Sequence, residues 1–175
     1  MNKYTVFEIV SMGMMTAILF AAQVAMGFLP NIEVVSLLIV LYAIVYGKKV
    51  FFIIYTFVLL EGLFYGFGLW WINYTYVWTV LAIVALIFRN NTSSLFWGIV
   101  TGLYGLFYGA LCSILYLFIG GPSTALSYWV SGIPFDLTHC IGNFVVCIAL
   151  FNPLYRILTK CNGFYCPQNP CQIIK

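Results

Sequence analysis

Residues 32–68, IEVVSLLIVLYAIVYGKKVFFIIYTFVLLEGLFYGFG, decide the fold. Two apolar runs, 32–46 and 50–68, flank a Gly47-Lys48-Lys49 turn. A helix needs about 20 apolar residues to cross a hydrocarbon core of roughly 30 Å, so each run reads as one membrane crossing. The first of the two is short and must borrow from its flanks.

The pattern repeats outward in both directions. Apolar segments cover 6–29, 32–46, 50–68, 70–88, 95–118 and 134–158. Breaks fall at Pro30 and Asn31, at Gly47, at Asn90 and Asn91, and at Gly120, Gly121 and Pro122, all of them turn chemistry. Of 175 residues, 64% are hydrophobic and 6% charged, against roughly 25% charged in a soluble domain. The expected fold is an all-α integral membrane protein, a bundle of six transmembrane helices over 1–160 with a short Cys-containing tail, 161–175. All connections are short except the fifth, 120–133. The basic start and apolar run of the first 29 residues suggest a secretory signal, but Glu8 interrupts the charge pattern and the run outlasts a signal, so it is read as the first membrane helix.

Basic residues set the expected orientation. With the N-terminus inside, Lys3, Lys48, Lys49, Arg89, Arg156, Lys160 and Lys175 all fall on cytoplasmic segments and none on the outer loops. Both termini are therefore expected in the cytoplasm of a multi-pass cell-membrane protein. The net charge of +3 comes mostly from these topogenic residues, which argues against a nucleic-acid partner. Among the six cysteines, Cys112, Cys140 and Cys147 sit in apolar runs and read as small packing residues. Cys161, Cys166 and Cys171 match no zinc spacing built on a Cys-x-x-Cys pair, so neither a metal nor a cofactor is expected.

The outer side carries Trp70, Trp71, Tyr74, Tyr76, Trp78, Tyr128 and Trp129. An interfacial aromatic belt accounts for most of them, while a few could stack on a ligand. On the first helix Gly13, Ala17, Ala21 and Ala25 recur every fourth residue, a ridge that lets two helices approach closely. An internal contact is the commoner use of such spacing; docking of another subunit is the sharper one. The fifth helix carries Gly98, Gly102, Gly105 and Gly109 on one face, read as a close-packing surface.

Ionisable groups inside membrane segments are costly and serve as functional candidates by default. Glu61 falls just past the midplane toward the outside. Between Ser131 and Phe144, Pro134 suits a first helical position, which puts Asp136 in the first turn at the positive end of the helix dipole. Asp136, His139 and Asn143, spaced three and four apart, then descend one inward face. Capping is the simplest role for Asp136, and a neutral, hydrogen-bonded imidazole for His139. Asn143 reads as a ligand contact or a bridge between helices.

This combination resembles the substrate-binding S component of energy-coupling factor (ECF) transporters. The likeness rests on size, six helices with both ends inside, the Ala17-x-x-x-Ala21 pair ahead of Pro30, and the Gly-Ile-Pro-Phe-Asp-x-x-His-x-x-Gly-Asn-Phe run from Gly132 to Phe144. The resemblance implies a non-catalytic subunit of an ABC-type importer. It would capture a vitamin or vitamin precursor in a pocket near the outer face and dock on a membrane coupling subunit driven by two cytoplasmic ATPases. It makes Ala17 and Ala21, with Gly13 and Ala25, the docking ridge. Asp136, His139 and Asn143 become pocket candidates, joined by Glu61, Trp70, Trp71, Tyr128 and Trp129. The Pro30-Asn31 loop is short for a gate, so 120–133 is expected to share that task.

The chain has no Gly-x-x-x-x-Gly-Lys-Ser/Thr loop, so active uptake needs an ATPase partner. Three other readings remain. One is a stand-alone or proton-linked permease using Glu61, Asp136 and His139. Another is a scaffold subunit with no ligand. The third is an intramembrane hydrolase pairing Ser123 with His139, although Ala125 stands where Gly-x-Ser-x-Gly requires its second glycine.

Overall fold

The computed structural model describes residues 5–28 and 32–165 (backbone only beyond 162). It is 90% helix with no strand among the described residues. The elements are α1 Val6–Met26, α2 Val35–Tyr46, a 3-10 turn Gly47–Lys49, α3 Val50–Tyr65, α4 Leu69–Ile87, α5 Ser94–Leu106 and α6 Tyr108–Tyr165. Among the described residues, four stretches are long and apolar enough to cross a membrane: Val6–Met26, Val35–Tyr65, Leu69–Ile87 and Ser94–Asn162. The last is folded back on itself at Gly121, whose φ of 77° and ψ of −175° leave the helix. That conformation is open essentially to glycine alone, and Pro122 restarts the helix where its missing N–H costs nothing.

Side-chain contacts fix how the rods run. Glu8 meets Lys49 and Phe20 meets Phe64, so α1 and α3 run the same way. Phe57 packs on Trp78 while the Trp71 indole donates to the Val58 carbonyl at 2.8 Å, so α3 and α4 are antiparallel. Phe88 against Phe96 and Trp78 against Tyr104 oppose α4 to α5. Beyond Gly121 the chain returns along α5, with Tyr128 stacked on Tyr116 near the turn. The Asn162 amide then donates to the Val45 carbonyl at 3.3 Å. One end of the bundle thus gathers Lys48, Lys49, Arg89, Arg156 and Lys160, the described lysines and arginines. Glu33, Trp70, Gly121 and Asp136 lie toward the other end.

Helix α2 is the hub. Every residue from Val35 to Ala43 is buried, enclosed by α1, α3, α4, α5 and α6. The outer surface is apolar, with Val6, Phe52, Leu63, Phe118 and Ile141 exposed, whereas Thr16, Ser36, Asn73 and Thr101 are buried. This is the inside-out polarity expected where lipid is the solvent. At the basic end Thr5 and Glu8 form a reciprocal capping box at the head of α1, and Glu8 also reaches Lys49 at 2.6 Å.

Three expectations change. Residues 120–133 are not a long loop: apart from the break at Gly121 they are helical, because the reversal needs only one glycine and its proline. Pro134 therefore lies inside the last helix rather than opening it, and Asp136 is not in a first turn. That helix also continues to Tyr165, so Cys161 belongs to it and not to a tail. Cys166 and Cys171 lie outside the described residues.

Candidate functional site

The second arm of α6 lies between α2 and α5, and its polar stripe is buried on the face they cover. Asp136, His139 and Asn143 are 5%, 6% and 2% exposed. The α5 glycines make this approach possible. A Cβ on Gly105 would stand 2.9 Å from the His139 carbonyl group, and one on Gly102 would stand 3.4 Å from the Cys140 carbonyl oxygen. Gly98 makes room for side chains instead, those of Ile148 and Phe144. The close-packing reading of that face is what the helices do.

Asp136 caps the first arm of α6 from its place on the second arm. The break at Phe107 frees the amides that open α6, and Gly109 N–H donates to Asp136 Oδ1 at 2.9 Å. Its other oxygen, Oδ2, is buried without a partner. One turn on, His139 Nε2 lies 3.0 Å from Glu33 Oε1, with both side chains largely buried. The Ser36 hydroxyl donates to the same carboxylate oxygen. The Asn143 amide donates to Ser36 Oγ and to the Thr101 carbonyl, each at 3.4 Å, which leaves its Oδ1 unpartnered.

Aromatic rings wall this polar seam. Tyr108 meets His139 edge to face at 5.0 Å between centroids. Trp78, Tyr104 and Tyr108 meet one another at 6.0–6.1 Å, and Tyr74 touches both Trp70 and Trp78. The Trp78 indole N–H and the Tyr104 hydroxyl are buried with no partner. Glu61 is 2% exposed with Oε1 equally alone, one helical turn beyond Phe57, which packs on Trp78. Buried polar atoms in folded chains nearly always find partners, so these five orphans are atoms that a bound molecule or ordered water would satisfy.

No protein-family model matches the chain, and no curated protein or solved structure matches it. The site therefore stands on its own geometry.

The remaining candidates separate. Trp70 is half-buried against Tyr74 at the edge of the wall. Trp71 has its indole engaged with Val58 and its ring against Phe67, so it serves the α3–α4 contact. Tyr128 is 38% exposed on Tyr116, and Trp129 is half-buried beside it in sequence, both above the polar seam. Gly13, Ala17, Ala21 and Ala25 all face outward from the bundle, and a Cβ on Gly13 would meet nothing within 4 Å. The internal contact expected of such a ridge is not made. Ser123 and His139 lie on one helical arm sixteen residues apart, roughly 24 Å of rise, so the fold does not pair them.

Sequence reasoning missed Glu33, Ser36, Tyr104 and Tyr108. Glu33 was legible only as an acid beside the Pro30-Asn31 turn; its importance comes from lateral packing of α2 beside α6. A cue existed for the tyrosines, which lie four residues apart and so share a helical face, beside the one that carries Gly105 and Gly109.

Proposed function

We propose that this chain is the substrate-binding S component of an ECF-type importer: six membrane helices, both termini cytoplasmic, capturing a vitamin or vitamin precursor at the outer face. The observation that carries the reading is the walled polar seam of Glu33, Asp136, His139 and Asn143, with unpartnered buried atoms, toward the bundle end away from the cations. Positive charge favours the cytoplasmic side, so this end would face out. Flat heteroaromatic molecules gain burial and stacking from Trp78, Tyr104 and Tyr108, while a few fixed polar groups read their edges. The outward ridge of Gly13, Ala17, Ala21 and Ala25 supports docking on a membrane coupling subunit, which two ATPases would drive. This chain would bind without catalysing.

The test is to purify the protein in detergent, identify co-purifying molecules by mass spectrometry, and titrate the purified ligand. One vitamin-like molecule bound tightly, and imported only with an ATPase module present, is the expected outcome. A protein that carries and binds nothing would refute it. The buried Glu33–His139 pair also suits a proton-linked permease, and uptake that persists without any ATPase would favour that reading instead.

A further inference from the structure

The polar seam is lopsided in charge. Glu33 pairs with His139, Asp136 lies one helical turn before His139, and Glu61 lies one turn beyond Phe57, which packs on Trp78. The described lysines and arginines gather at the far end of the bundle. No described lysine or arginine stands at the seam, so an arriving anion finds no cationic side chain to pair with, whereas a cation finds carboxyl oxygens.

The orphan atoms lean the same way. Glu61 Oε1, Asp136 Oδ2 and Asn143 Oδ1 are oxygen atoms able to accept, the Trp78 indole N–H can only donate, and the Tyr104 hydroxyl can do either. Their residues are at least nine-tenths buried. Trp78, Tyr104 and Tyr108 meet at tilts between 38° and 77°, and Trp78 is packed also by Phe57 and Tyr74, so the seam is bordered by an aromatic cluster. Ring faces of this kind attract a cation, and tryptophan does so best.

We infer that the seam takes a cationic, planar nitrogen heterocycle bearing N–H donors and rejects carboxylates and phosphates. The inference rests on the reading of this chain as a solute-binding membrane subunit and narrows its cargo by charge. Glu33 and Asp136 balance the positive centre, Asn143 Oδ1 accepts an exocyclic N–H, and the three rings enclose the plane.

The test is native mass spectrometry of the full chain after incubation with an equimolar mixture. The mixture contains thiamine, pyridoxamine and 1-methylnicotinamide as cations, nicotinamide and riboflavin as neutral probes, and nicotinate, pantothenate and folate as anions. Retention of at least one cation and of no anion is expected; retention of an anion, or of no cation, overturns the inference. Glu33→Gln, Asp136→Asn and Glu61→Gln keep shape and remove charge, and at least one should weaken the retained cation about tenfold or more. Three variants leave a readout if one fails to fold, and unchanged affinity in every variant that folds overturns the inference. An anion that is both bound and imported would sink the charge argument and leave the transport reading standing. A cation bound tightly but never imported with the ATPase module present would do the reverse.

Discussion

Replacing Gly105 by alanine tests the packing on which the whole site depends. The added Cβ would lie 2.9 Å from both the carbonyl carbon and oxygen of His139 and 3.0 Å from the Cys140 nitrogen. All three are backbone atoms, so no side chain can rotate away. Ordinary contact begins at 3.4 Å, and the two helices must separate by about 0.5 Å to recover it. Overpacking costs about 1–3 kcal/mol, and a rigid backbone neighbour puts this position near about 3. Alanine returns about 1 kcal/mol of helix propensity, which leaves a net loss of about 2 kcal/mol. For a chain of this size that corresponds to a fall of about 4–8 °C in unfolding temperature. Cys112 and Cys147 are buried free thiols, so a thiol-reactive fluorophore reports unfolding in detergent. Gly102→Ala, at 3.4 Å, should fall by less, and Gly13→Ala, with nothing within 4 Å, should not fall at all. A Gly105→Ala protein that melts with the wild type, or a Gly13→Ala protein that drops as far, would refute the proposed helix pairing.

Three further outcomes are expected. His139→Ala removes the partner of Glu33, and Asn143→Ala removes the bridge to Ser36 and Thr101; each should weaken the co-purified ligand about tenfold or more in a calorimetric titration. Wild-type affinity in both would show that the seam is not the ligand site. Ala17→Trp puts a large ring on the outward ridge, so it should abolish ATPase-coupled uptake while ligand binding holds, and unchanged uptake would remove the ridge from the docking surface. Gly121→Ala forces a side chain into a backbone region open essentially to glycine, and should cost about 1–3 kcal/mol in the same thermal assay. Stability equal to wild type would mean that the reversal between Tyr116 and Tyr128 is not made by that residue.

Sequence alone determined what is periodic or local. Apolar runs of membrane length, the glycine, proline and asparagine breaks, and the common face of Asp136, His139 and Asn143 all follow from helix geometry within one segment. The α5 glycines could likewise be read as a packing face without knowing what packs there. Tertiary structure alone decided the partners. Glu33 lies 106 residues from His139 in the chain and 3.0 Å from it in space. Asp136 caps a different helical segment from the one that carries it, and the small-residue ridge on α1 points away from the bundle. These choices escape a one-dimensional reading because the outer faces of the helices are as apolar as the faces they bury. With no hydrophobic contrast to dictate which faces meet, close fit and interhelical hydrogen bonds settle the arrangement, and both exist only once all the helices are in place.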